Sequence, residues 1–136
     1  MHRQPRIPMV LTAVAATAAL LATSGTAAEA KGDRGLVRAT GSCAGSADWK
    51  LKAKLDDGRV EVEFEVDSNR AGQKWRVTIA DNGDTVRTVT RRTAGRSGSF
   101  SEERRITNLP GDDRITASAR NRATGERCSG VVVFSA

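Results

Sequence analysis

The stretch Trp49–Val66, WKLKAKLDDGRVEVEFEV, restricts the fold more than any other part of the chain. Apolar residues alternate on both sides of Asp57-Gly58, first Trp49, Leu51, Ala53 and Leu55, then Val60, Val62, Phe64 and Val66. Period two is the mark of a strand with one buried face. Asp-Gly between two such runs signals a hairpin, because a type I′ turn needs positive φ at both central residues. The two-residue turn also sets the register. Leu55 then faces Val60, Ala53 faces Val62, Leu51 faces Phe64 and Trp49 faces Val66. On the other face Lys54, Lys52 and Lys50 meet Glu61, Glu63 and Glu65. Apolar pairs on one side and opposite charges on the other are what cross-strand energetics favour. A slip by one residue would exchange the two faces, so the register is well specified.

The rest of the chain reads the same way. Leu36–Cys43 is expected to form a short first strand. Trp75, Val77 and Ile79 alternate up to a second type I′ turn at Asn82-Gly83, with Val86, Thr88 and Thr90 returning on the same face. Thr93–Gly98 reads as a flexible crossing. Phe100–Ile106 is a strand whose alternation Glu102 and Arg104 interrupt, which points to a bulge or an edge position. Leu109–Asp112 is a turn, Ile115, Ala117 and Ala119 mark a strand, and Asn121–Gly125 is another turn. Glu126–Phe134 closes the chain as an unbroken apolar strand whose inward face the pattern leaves open. Helical periodicity is absent after residue 30. Seven to eight short strands with turn chemistry between them argue an all-β antiparallel sandwich.

The first thirty residues have another character. His2, Arg3 and Arg6 precede an apolar run from Met9 to Ala22, and Ala28-Glu29-Ala30 supplies an A-x-A cleavage site. Residues 1–30 are therefore expected to be a signal peptide, with 31–136 forming a single sandwich domain that carries no membrane span. Both cysteines, Cys43 and Cys128, fall in the exported part. There they are expected to form one disulfide, the alternative being two free or intermolecular thiols.

The strand order resembles a fibronectin type III or immunoglobulin-like domain from about Trp49 to Phe134. Two hairpins separated by crossings, a Trp on the third of seven strands and a final hairpin carry the resemblance. So does ITNLPGDDRITASARNRATG (residues 106–125), which is similar to that family's L-x-P passage into its last strand. The family's tyrosine corner is missing, since Arg114 and Ile115 stand where a Tyr is expected. The resemblance implies that the strand of Trp49 and the last strand begin at one end. That brings Cys43 and Cys128 within disulfide reach.

Catalytic chemistry is poorly supplied. The chain has 1 His, and it is His2, which leaves with the signal peptide. The mature protein then offers no imidazole for a triad or a zinc site, and oxidised cysteines offer no thiolate. An enzyme is not expected, and neither is a cofactor. Asp81-Asn82-Gly83-Asp84 has a faint calcium-loop look but lacks further oxygen ligands at set spacing. It and Asp112-Asp113 read as turns, so no metal site is expected. Trp49, Trp75, Phe64, Phe100 and Phe134 read as core. With 22 Lys and Arg against 16 Asp and Glu, the net charge is +6, which favours anionic partners. The outward positions of the second hairpin read as Lys74, Arg76, Thr78, Thr85, Arg87, Val89 and Arg91. Those of the penultimate strand read as Arg114, Thr116, Ser118 and Arg120, with Arg127 beside them. In the family's sheet order these strands are neighbours, so Lys74, Arg76, Arg87, Arg91, Arg114 and Arg120 are expected to form one basic face. The expected role is a secreted, cell-wall-associated binding or adhesion module whose partner is an anionic wall polymer or other polyanion. The alternative is an inhibitor of an extracellular enzyme, a protein partner met through Arg91–Gly98.

Overall fold

The computed structural model describes residues 35–135. The expected signal peptide, 1–30, lies outside the described residues. Asp57 and Gly58 take φ of 54° and 75°, the left-handed values that a type I′ turn requires. They join β2 (Asp48–Asp56) to β3 (Arg59–Asp67) in the expected register, from Leu55 opposite Val60 to Trp49 opposite Val66. Asn82 and Gly83, at 49° and 88°, make the same turn between β4 (Lys74–Asp81) and β5 (Asp84–Arg92). The other strands are β1 (Leu36–Ser42), β6 (Ser99–Thr107), β7 (Asp112–Asn121) and β8 (Arg127–Ser135). They form two four-stranded antiparallel sheets, in the orders β1-β2-β3-β6 and β5-β4-β7-β8. The fold is an antiparallel β-sandwich.

Each inner face is apolar along its central strands. Val60, Val62, Phe64 and Val66 on β3, and Trp75, Val77 and Ile79 on β4, are fully buried. Burying such a side chain contributes roughly 1.5–3 kcal/mol, so the two central hairpins dominate the core. The last strand turns Cys128, Val132 and Phe134 inward. At one end Trp49 fills the space left by two glycines. A Cβ on Gly41 or Gly130 would sit 2.7 or 2.4 Å from its indole ring. Beside it the Cys43–Cys128 disulfide ties the segment after β1 to β8 of the other sheet. With a sequence separation of 85, its loop-closure effect is roughly 4 kcal/mol. Glu126 caps the same end, accepting hydrogen bonds from the amides of Gly45 and Ala47.

Two local expectations need correction. In the second hairpin Ala80 faces Thr85 but Ile79 faces Arg87, so Val86 is an extra residue. This bulge exchanges the faces of the remaining strand. Arg87, Val89 and Arg91 lie on the side of Ile79, Val77 and Trp75, while Thr88 and Thr90 face out. β6 takes the edge position that its interrupted alternation pointed to, paired without a break from Ser99–Asp67 to Thr107–Arg59. The second correction is that the 93–98 crossing is pinned rather than flexible. Thr93 is buried, its hydroxyl donates to the Arg70 carbonyl and accepts from the Gln73 amide, and Ala94 and Ser99 exchange two backbone bonds.

The Gly130–Trp49 contact supplies a prediction. Gly130→Ala should cost about 1–3 kcal/mol in denaturant unfolding, because the added methyl overlaps the indole. With Trp49→Phe as partner, the double variant should lose less than the sum of the two single changes.

Candidate functional site

The outer faces of the two sheets handle charge differently. On β1-β2-β3-β6 the lysines of the β2–β3 hairpin have acids across from them, although Arg38 on β1 faces Lys52. Lys52 lies 3.2 Å from Glu63 and Lys54 3.5 Å from Glu61, while Arg105 pairs with Asp56 and approaches Glu61. The Arg105 hydrogen bond, helped by its charge, holds the Asp56 carboxyl below its ordinary pKa. This face is an alternating, self-neutralised surface.

On β5-β4-β7-β8 the register builds a row of like charges. Arg76 on β4 lies directly opposite Arg120 on β7, and Arg120 directly opposite Arg127 on β8. One pleat further along, Lys74 faces Arg92 on β5. Arg122 follows in the turn, its amide bonded to the Lys74 carbonyl. All six side chains are exposed, and none forms an ion pair with an acid among the described residues. Adjacent strands are about 4.8 Å apart. Like charges directly opposite one another destabilise a sheet, and an anion laid across the row would remove that cost. Further along the same face stand hydroxyls, Thr78 opposite Thr88 and Ser118, and Ser118 opposite Ser129. Trp49, Trp75 and Phe100 are buried, so this face has no aromatic platform for stacking.

Of the six residues expected on the basic face, the structure brings Lys74, Arg76 and Arg120 together. Arg114 is on the same face of β7 but six residues from Arg120, about 20 Å at 3.4 Å per residue. Arg87 and Arg91 are not on this face. Both reach inward to Glu102 on β6, Arg87 Nε at 2.9 Å from Oε1 and Arg91 Nε on Oε2. The Glu102 side chain is only 1% exposed. Two guanidiniums thus share one buried carboxylate and bridge the edge strands of the two sheets. Arg92 was not expected in the row, because only the Val86 bulge turns it outward. The sequence carries no signal for that bulge.

The Arg91–Gly98 segment closes into a tight turn, with a Gly98 amide to Gly95 carbonyl bond of 3.3 Å and Arg96 exposed at its apex. Gly98 is buried with φ of +63°, and a Cβ there would lie 2.2 Å from the Arg70 backbone nitrogen. Among the described residues no helix is long and apolar enough to cross a membrane, and no group of three or more His, Cys, Asp or Glu is placed to hold a metal ion. No protein-family model matches the chain, and no curated protein matches it.

Glu102→Gln should destabilise the fold by about 1–3 kcal/mol, since it leaves two half-buried guanidiniums without their counter-charge. Arg91→Gln should cost less, because Arg87 still neutralises the carboxylate. Urea unfolding of both variants measures the difference.

Proposed function

We propose that the protein is a secreted, non-catalytic binding module that recognises an anionic polymer through the Arg76–Arg120–Arg127 row. The observation that carries this reading is three directly opposed arginines on neighbouring strands, with no acid among them. Lys74, Arg92 and Arg122 extend the same positive field. A phosphodiester polymer such as a wall teichoic acid fits the charge, and the adjoining hydroxyls can donate to its oxygens. The missing aromatic platform speaks against single-stranded nucleic acid, which such modules bind by stacking. Secretion rests on the character of residues 1–30 and is supported by the disulfide, a bond of oxidising compartments.

The strand order also supports a fibronectin type III-like or immunoglobulin-like architecture. On that reading β2 to β8 are the seven family strands and β1 is an addition at the sheet edge. The inhibitor reading has less support. Its segment is a closed turn rather than an extended backbone, and Arg91 is engaged by Glu102.

Binding to a glycerol-phosphate polymer should be about micromolar at low salt and fall steeply as salt rises, because condensed counterions are released. Replacing Arg76, Arg120 and Arg127 with Gln should abolish it and flatten the salt dependence. Replacing Lys50, Lys52 and Lys54 with Gln should change it little. Equal losses from the two triple variants would mean that net charge alone attracts the polymer.

A further inference from the structure

The turns around Asp81 and Asp113, far apart in sequence, meet at the end of the sandwich away from the disulfide. Asn82 clasps them. Its side-chain nitrogen donates to the Asp112 carbonyl, its side-chain oxygen accepts from the Arg114 amide, and its own amide donates to the Arg114 carbonyl. Beside the clasp, Asp81 on β4 lies opposite Ile115 on β7, so Asp113 is its diagonal neighbour on the same side. Both side chains point inward and are 5% and 0% exposed. Phe134 stands opposite Asp113 on β8, so the pair has apolar neighbours on either flank. No protein donor reaches Asp81 Oδ1 or either carboxylate oxygen of Asp113. The two carboxyls are close enough to share a hydrogen bond when one is protonated.

The charges around the pair do not compensate it. Asp84 on β5, Arg59 on β3, and Arg104 and Arg105 on β6 line, with Asp81, a cavity of about 250 Å³. Arg105 is engaged by Asp56 and Glu61, and neither Arg59 nor Arg104 forms an ion pair with Asp81 or Asp113. On β7, Asp112 accepts a hydrogen bond from the Ser135 hydroxyl of β8, and Arg114 is exposed on the outer side. Two ionised carboxylates are costly in such a place, because desolvation and mutual repulsion act in the same direction. A single proton relieves both costs, since the protonated carboxyl becomes the donor that the other lacks.

We propose that Asp81 and Asp113 form a proton-operated latch: sharing one proton, they hold the β4–β5 turn to the start of β7, and without it they repel and loosen that end of the sandwich. The Asn82 clasp is the element that gives way, because its three hydrogen bonds span the two turns next to the pair. The latch is independent of the basic row, which lies on the outer face toward the disulfide end.

Burial, then the hydrogen bond and charge of Asp113 and the charge of Asp84, push the Asp81 carboxyl from 3.8 up to about 6. The folded protein therefore keeps the proton to a higher pH than the unfolded chain does. The contribution of the latch is complete below about pH 4 and is lost as pH rises through about 6. Asp56 runs the other way. Its carboxyl, held low by Arg105, favours the folded state above about pH 4 and loses that contribution as pH falls. The latch is thus read from the difference between the parent and a variant that lacks it.

Asp81→Asn puts a fixed N–H donor in place of the shared proton. Parent and variant should melt close together at about pH 4.5, and the parent should fall behind by roughly 5 °C at about pH 7.5. Over the same range the amides of Asn82 and Arg114 should lose about tenfold in hydrogen-exchange protection in the parent and keep it in the variant. The Ala44 amide, bonded to the Arg127 carbonyl at the disulfide end, should change in neither. Asp113→Asn serves the same purpose if Asp81→Asn fails to fold. A melting difference that stays constant with pH would mean that the pair holds no titrating proton in this range, and would overturn the latch. Protection of Asn82 and Arg114 that does not change with pH in the parent would overturn it equally.

Discussion

The pleat of a β-strand sends successive side chains to opposite faces, so a single inserted residue exchanges the faces of everything beyond it. Val86 is such a residue, and the character of both sides of its sheet depends on it. Because of it Arg87, Val89 and Arg91 turn toward the interior, where two guanidiniums find Glu102. Because of it Thr88, Thr90 and Arg92 turn outward, which gives the basic row its fourth strand. Without the bulge, Glu102 would be a buried carboxylate facing threonines.

The sandwich is closed by different means along its two long sides. Where β1 and β2 lie over β8, closure is covalent and apolar, with the disulfide beside an indole that two glycines accommodate. Where β6 lies over β5, closure is ionic. Inward-pointing charges on edge strands also discourage pairing with other chains, since a second strand would have to bury them uncompensated. Glu102 and Arg104 on β6, and Arg87 and Arg91 on β5, occupy inward positions of this kind. The residues that spoil the alternation of β6 are thus the ones that join and protect its edge.

Electrostatics divides the molecule into regions with different relations to solvent. The first sheet mixes both signs, with Lys and Glu opposed across its central hairpin, so it contributes little field. The second accumulates cations on one row and has no acid to offset them. At the end bearing the Asn82 clasp, two carboxylates are buried without a donor. The cationic row lies exposed where a mobile partner can reach it, whereas the acid pair is buried.

Local pattern determined much of this protein. The β2–β3 hairpin, its register and its two faces follow from strict alternation around Asp57-Gly58, since turn length and side-chain parity admit one pairing. The positions of most strands and the pairing of Cys43 with Cys128 were legible for similar reasons. Lys74, Arg76 and Arg120 were placed correctly because β4 and β7 alternate without interruption. Arg87, Arg91 and Arg92 were not, because a bulge is chosen by the fit of distant groups. Here the fit is of two β5 arginines to a β6 carboxylate 15 and 11 residues away. The same limit holds for Asp81 and Asp113, which read as separate turns until the β4–β7 pairing sets Asp81 opposite Ile115, two residues from Asp113 on the same face. Parity and turn chemistry are local and can be read from neighbours in sequence. The sharing of one charge by two strands, or the meeting of two buried carboxylates, exists only once the sheets have packed.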